Sequence, residues 1–318
     1  MNAAKVPSGK VPIQTINKKN PIKTVMKNFD LYMLLIPGII FIIIFRYIPM
    51  YGLAIAFQDF NIFKGIGASE WVGFAQFQKL FQSPEFYQVF KNTLFISVYK
   101  IVFLFPIPIF IAIILNEIKS MAFKRTTQTI IYLPHFLSWV IVSGMVVNLL
   151  SPSTGLINSI ITALGGKPIS FLMDNHWFRS VLVTSEGWKE IGYSAIVFIA
   201  AIAGIDQEQY EAASIDGAGR IKKMLHITLP GIKSIILLMF ILRIGSVLEA
   251  GTEQILLLYN SVVYQSGDVI GTYVYRMGIG QMDYSFSTAV GLFESVIGFI
   301  LVMSGNFISK KATGRTIW

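Results

Sequence analysis

Six stretches of this 318-residue chain are each long and apolar enough to cross a lipid bilayer, which fixes the class of fold before any motif is read. About 20 apolar residues in helix cover about 30 Å of hydrocarbon. A backbone inside lipid must also satisfy its own hydrogen bonds, which a helix does. The stretches are Leu31–Pro49 (with an extension to Phe57 in reach), Thr93–Leu115, Thr129–Leu150, Val181–Ile205, Ile232–Leu258 and Phe286–Ile308. The fourth is the weakest, because Glu186, Lys189 and Glu190 interrupt its start. Charged residues make up 14% of the chain, too few to cover a water-facing surface, since soluble domains carry about 25%. The expected fold is an all-α integral membrane protein with six transmembrane helices.

The net charge of +9 raises nucleic acid as a partner. The basic residues alternate with apolar spans and form no patch with interleaved aromatics, so no nucleic-acid footprint is present. Their placement fits basic loops of a membrane protein instead. With the N-terminus inside, the cytoplasmic segments hold Lys5, Lys10, Lys18, Lys19, Lys23 and Lys27, then Lys119, Lys124 and Arg125. Further on they hold Arg220, Lys222, Lys223 and Lys233, and finally Lys310, Lys311 and Arg315. That bias puts both termini in the cytoplasm, as an even number of crossings requires.

Residues 1–29 then form a basic tail in which Pro7, Pro12 and Pro21 disfavour helix. Its basic region is too long for a secretory leader, and no small-residue cleavage site follows Leu31–Phe45. Residues 30–308 form the transmembrane unit, and 309–318 a cytoplasmic C-terminal tail. Outside, Gln58–Gln88 carries Trp71, Phe74, Phe77, Phe81, Phe86 and Tyr87, a set suited to an interfacial layer.

Chemistry of several kinds is excluded. With no cysteine, there are no disulfides, thiolate metal sites or cysteine nucleophiles. His135, His176 and His226 have no metal-ligand spacing. Gly165-Gly166-Lys167-Pro168 lacks the spacing of a phosphate-binding loop and the Ser or Thr after its lysine.

The most informative stretch is the loop between the fourth and fifth spans, residues 206–230. Asp206 suits a helix cap, with Gln209 three residues later to complete a capping box. Gln207–Ser214 gives about two turns. Within them Ala212 and Ala213 form a low-relief face, and Glu211 offers an anion to a partner's Arg or Lys. Gly217 and Gly219 permit a sharp turn. Ile221–Ile227 reads as a second short helix along the membrane surface, with Lys222 and Lys223 towards headgroups. Pro230 sits where a helix start tolerates proline.

Glu211-Ala212-Ala213, then Gly217 six residues after the glutamate, then Ile227, Leu229 and Pro230, resembles the "EAA" loop of binding-protein-dependent ABC importer permeases. Asp216 and Ala218 extend the match, whereas Met224 and Ser234 stand where that family often has an aromatic and a proline. Further segments are similar to Gram-positive permeases for oligosaccharides and polysaccharide fragments, including pectin and rhamnogalacturonan systems. They are Pro49–Gly52, Ala54–Asn61, Leu115–Glu117, Tyr132–Trp139 and Leu149–Ser151.

The resemblance implies a type I (MetI-like) permease fold and a transport subunit rather than an enzyme. It implies that Tyr210, Glu211, Ala212, Ala213, Asp216, Gly217 and Ala218 seat on an ATPase subunit. No cofactor is expected in this chain, ATP and Mg belonging to that ATPase. The implied partners are a second, homologous permease (a heterodimer), two ATPase subunits and an extracellular solute-binding lipoprotein at a bacterial cell membrane. The implied cargo is an oligosaccharide, with a peptide, amino acid or anion as the alternative.

Polar groups inside spans are costly and mark pathways or paired charges. Arg243, Glu249 and Glu294 are such groups, with Glu186, Lys189 and Glu190 near the start of span four. They suit either a sugar-cavity lining or ion pairs between helices. Trp139, Trp188 and Tyr193 suit either stacking on sugar rings or anchoring at the interface. Trp188, Tyr193, Arg243, Glu249 and Glu294 are accordingly the candidate substrate-pathway residues. Ser287, Gly291 and Ser295, every fourth residue, suit a close helix contact in span six.

Overall fold

The computed structural model describes residues 29–313; the tail expected over 1–29 lies outside the described residues except for Phe29, as do residues 314–318. The chain divides between Gly52 and Leu53 into two units. The first contains helix α1, Phe29–Ile42, which continues through a wide turn at Ile43–Tyr47 and a helical turn at Ile48–Met50. None of these residues is buried, as befits a helix whose apolar side chains face lipid.

The second unit opens with a two-stranded antiparallel ribbon, β1 (Gln58–Asp59) on β2 (Glu70–Trp71), and the amphipathic helix α2, Ala75–Gln82. The expected aromatic layer is here: Phe57 packs on Phe74 and Phe77, while Phe81 and Phe86 meet Phe293. The helices that follow are α3 (Pro84–Leu104), α4 (Pro106–Glu117), α5 (Met121–Tyr132), α6 (Trp139–Leu150), α7 (Leu156–Ala163) and α8 (Asn175–Ala203). After them come α9 (Gln207–Ile215), α10 (Leu229–Gly245), α11 (Thr252–Leu258), α12 (Ile270–Tyr275) and α13 (Tyr284–Thr313).

Among the described residues, four helical runs are long and apolar enough to cross a membrane: Phe29–Phe57, Pro84–Glu117, Arg220–Gly245 and Tyr284–Phe307. Two bent pairs, Met121–Phe136 with Trp139–Leu150 and Asn175–Ala203 with Gln207–Ile215, bring the number to six. The six-span fold therefore stands, but three spans differ from the continuous runs and bounds expected from the sequence. The third is bent by 99°. Pro134 opens a short 3-10 turn there, and Ser138 starts a new helix by accepting a hydrogen bond from the Ile141 amide at 3.4 Å. The fifth stops at Gly245, and residues 246–251 turn before α11 begins. The sixth continues to Thr313, so residues 309–313, expected in a tail, belong to the helix.

Three apolar clusters form the core of the second unit. Ala112, Ile113, Phe198, Ile202 and Ile232 join α4, α8 and α10 near the 206–230 loop. Ile96, Phe178, Leu182, Ile255 and Leu258 join α3, α8 and α11. Leu80, Phe86, Val89, Ile270, Tyr273, Phe286 and Val290 join α2, α3, α12 and α13. Beside the last, Arg276 donates to Asp268 and Glu85, each at 2.7 Å. Burial disfavours its charge, but the two carboxylates outweigh that and raise its pKa.

The small-residue stripe makes close contact only at one end. Ser287 packs on Gly278, whereas a Cβ on Gly291 would meet nothing within 4 Å, and Ser295 is exposed. The close approach of α10 to α13 is made elsewhere, where a Cβ on Gly245 would lie 2.5 Å from Val302 and one on Gly305 3.3 Å from Ile241. Without a side chain, glycine lets two helices come together at such points.

Candidate functional site

Helix α8 organises the functional residues. It has 29 residues, so at 1.5 Å per residue it is roughly 43 Å long. Its middle third faces a cavity of about 470 Å³, bounded also by α3, α4, α6 and α10. That volume lies within the range of about 300–1,000 Å³ of small-ligand sites.

Charge in the cavity is held in place by buried hydrogen bonds. Lys100, in the apolar run of α3, pairs with Glu186 on α8 and donates to the Ala250 carbonyl and Gln254 Oε1, each at 2.8 Å. The other oxygen of Glu186 accepts from Arg243 Nη2 on α10 at 2.7 Å. Gln254 Nε2 in turn donates to the Leu182 carbonyl at 2.7 Å and to Ser185 at 2.8 Å. An ionised pair is tolerable in an interior only when its remaining lone pairs and protons are also satisfied, and here α10, α11 and the turn between them supply the partners.

The network also explains the break in the fifth span. Ala250 and Gly251 both have left-handed backbone, at φ 49° and 81°. A left-handed alanine is strained, and the Lys100 ammonium meets the carbonyl that this conformation exposes. A Cβ on Gly251 would lie 2.6 Å from Lys100 Nζ, so a side chain there would push the ammonium out of its network as well as strain the backbone.

A second polar group lies on the same wall. Glu190 joins His135 Nδ1 at 2.7 Å and Lys189 Nζ at 2.8 Å, and Lys189 also donates to the His135 carbonyl at 2.8 Å. Lys189 sits 5.4 Å from the centre of the Trp139 ring. Trp139, Phe105, Phe198, Glu186, Glu190, Arg243 and Glu249 all line the cavity, giving it three aromatic rings, a half-exposed guanidinium and three carboxylates.

Of the five candidate pathway residues, Arg243 and Glu249 line this cavity. Trp188 is 49% exposed and outside the lining. Tyr193 is committed to a stack on His135, with ring centres 3.7 Å apart and planes 3° apart. Glu294, on α13, is also outside the lining. Arg243 is paired with Glu186 rather than with its neighbour in sequence, Glu249. Lys100 and Gln254 were not singled out from the sequence. A lone lysine in the apolar run Thr93–Leu115 is the signal that marked Lys100.

At the far end of α8 the chain bends by 71° into α9. Asp206 caps α9, but its carboxylate accepts from the Glu208 amide at 3.0 Å, one residue earlier than a capping box with Gln209 requires. No residue of α9 is buried; Glu211, Ala212, Asp216 and Gly217 are exposed, and Ala213 and Ala218 partly so. Tyr210 is tied to Thr228 by a 2.9 Å hydroxyl contact, and Lys223 donates to Ser214 at 2.6 Å. Gly217 is left-handed at φ 73°, while Gly219 has ordinary extended backbone and starts the next helix. The separate surface helix expected over Ile221–Ile227 is instead the first part of one helical run, Arg220–Gly245. A wide turn at Met224–Thr228 accommodates Pro230 within it. The bent α9 is thus an exposed segment fixed to the end of the fourth span and the start of the fifth.

The pattern of the family described as "Binding-protein-dependent transport system inner membrane component" matches residues 104–313. Protein LplB of Bacillus subtilis (strain 168) is 50% identical over 281 residues, 88% of each chain. The polygalacturonan/rhamnogalacturonan transport system permease protein YteP of the same organism is 45% identical, over 92% of this chain and 91% of that one. A chain in the crystal structure of a bacterial alginate ABC transporter, in complex with an alginate pentasaccharide-bound periplasmic protein, superposes with a TM-score of 0.86. It is 40% identical, with 93% of this chain and 99% of that one covered.

Proposed function

The chain belongs to the family of binding-protein-dependent transport system inner membrane components, and from that premise we propose how it works as the multi-pass permease subunit of an ABC importer for oligosaccharides. The cavity between α3, α8 and α10 is this chain's part of the sugar pathway, and α9 is the contact for a separate ATPase. The observation that carries this reading is the continuity of α8, which borders the cavity at its middle and bends into the exposed α9 at its end. A push on α9 is thereby delivered to helices that bound the cavity.

In this account Glu211 and the small residues Ala212, Ala213 and Ala218 seat α9 on the ATPase, while Tyr210 transmits its motion to the base of α10 through Thr228. Gly217 allows the return turn. Both termini and α9 are cytoplasmic. A second, non-identical permease closes the pathway, two ATPase subunits bind inside, and a solute-binding protein delivers the sugar outside. Trp139 offers a ring face to the sugar, with Arg243 and Glu249 as hydrogen-bonding groups.

Two experiments test the reading. The double variant Glu211→Lys, Gly217→Pro is expected to lose co-purification of the ATPase, because it reverses the exposed charge and forbids the left-handed turn. Retained association at normal membrane level would remove α9 as the docking point. Glu249→Ala is expected to lower the rate of sugar uptake without changing membrane level. Normal uptake would remove Glu249 from the pathway.

A further inference from the structure

A second cavity, of about 500 Å³, lies between the first turns of α3 and α8 and the turn at Tyr264–Gly267. It sits at the opposite end of α8 from α9, and so on the outer side if α9 is cytoplasmic. Lys91 and Arg179 both line it, and no Asp or Glu does. Neither cation has an ion-pair partner among the described residues. Both sit over the same ring, Phe95, at 5.8 and 5.5 Å from its centre. Arg179 is aimed by hydrogen bonds to the Ser266 carbonyl at 3.0 Å and to Asn92 at 2.9 Å. Asn175 donates to the Val262 carbonyl, but its own Oδ1 is buried without a partner among the described residues.

These features ask for different things from one ligand. Two cations without a counter-charge call for an anion, and a buried free amide oxygen calls for a hydrogen-bond donor. An ionised Asp or Glu of a docking protein accepts only. A uronic acid ring carries a carboxylate and several hydroxyls in one unit, so it meets both demands. The geometry points to this cavity as an outer subsite for a carboxylate-bearing sugar unit of the incoming oligosaccharide. Lys91 and Arg179 face the carboxylate, and Asn175 Oδ1 accepts from a ring hydroxyl. This site rests on the oligosaccharide reading above and adds the charge of the cargo to it.

Lys91 is exposed and makes no hydrogen bond that burial would hide, which makes it a reporter. In the assembled importer in membranes, its acylation by a membrane-impermeant reagent is followed by mass spectrometry of the labelled peptide. Exposed Lys64, in the same outer segment, is the internal control. A linear trisaccharide of uronic acids, at ten times its dissociation constant, is expected to slow Lys91 labelling about tenfold. The same trisaccharide with methyl-esterified carboxyls leaves both lysines unchanged. Equal protection by the ester would overturn the carboxylate assignment. Protection by sugar-free solute-binding protein alone would overturn the subsite in favour of a docking surface. No protection, with oligosaccharide uptake intact, sinks the subsite and leaves the transport reading standing. No protection and no uptake of any oligosaccharide sinks both.

Discussion

Lys100→Met is expected to destabilise the permease by about 3–5 kcal/mol, the cost of breaking a buried pair from one side. Methionine nearly matches the volume of the lysine stem, so the loss is electrostatic rather than steric. It leaves Glu186 with one partner instead of two, and the Ala250 carbonyl and Gln254 Oε1 without the ammonium they accept from. The turn at Ala250-Gly251 then loses the contact that holds its strained backbone. The measurement is the thermal unfolding midpoint of the purified complex, with the amount in the membrane as a second readout. A Lys100→Met variant as stable as the parent would show that the ammonium is not what fixes this turn.

Gly192→Ala is expected to prevent normal folding, at a cost of about 3 kcal/mol or more, because the clash is with main chain and no rotamer relieves it. A Cβ on Gly192 would lie 1.9 Å from the Ile131 carbonyl oxygen, where α8 crosses the end of α5. To make room, the first arm of the bent third span must leave α8, taking His135 and the Glu190 contact with it. Gly291→Ala is the matched control, since its Cβ would meet nothing within 4 Å. Expression of both, followed by size-exclusion profiles in detergent, decides the matter. Equal behaviour of the two variants would refute the packing argument.

The sequence showed the spans, the loop and the polar residues inside the spans, because each is local: a run of apolar residues, a cap, a charge in lipid. It did not show where helices break. The third and fifth spans read as continuous apolar runs, and apolar composition is indifferent to a bend at Ser138 or a left-handed turn at Ala250. Partner choice was equally hidden. Arg243 and Glu249 are six residues apart, yet the guanidinium pairs with Glu186 on another helix, and Lys100 gains its role only from what α8 and α11 bring to it. The small-residue stripe on the sixth span shows the same limit, since spacing marks a face but not what lies opposite, and within this chain only Ser287 meets another element closely. Gly192 and Gly245 are solitary in sequence and become decisive only where another element crosses them.

The unbroken length of α8 carries an evolutionary consequence. Each inserted residue would rotate one end about 100° against the other and lengthen the rod by about 1.5 Å. A single insertion between Glu186 and Ala203 would swing Glu211 around the axis, away from its present setting beside the base of α10, while the outer end of α8 stayed where it was. The spacing between the two ends of α8 is therefore locked, like the teeth of gears cut on a common shaft.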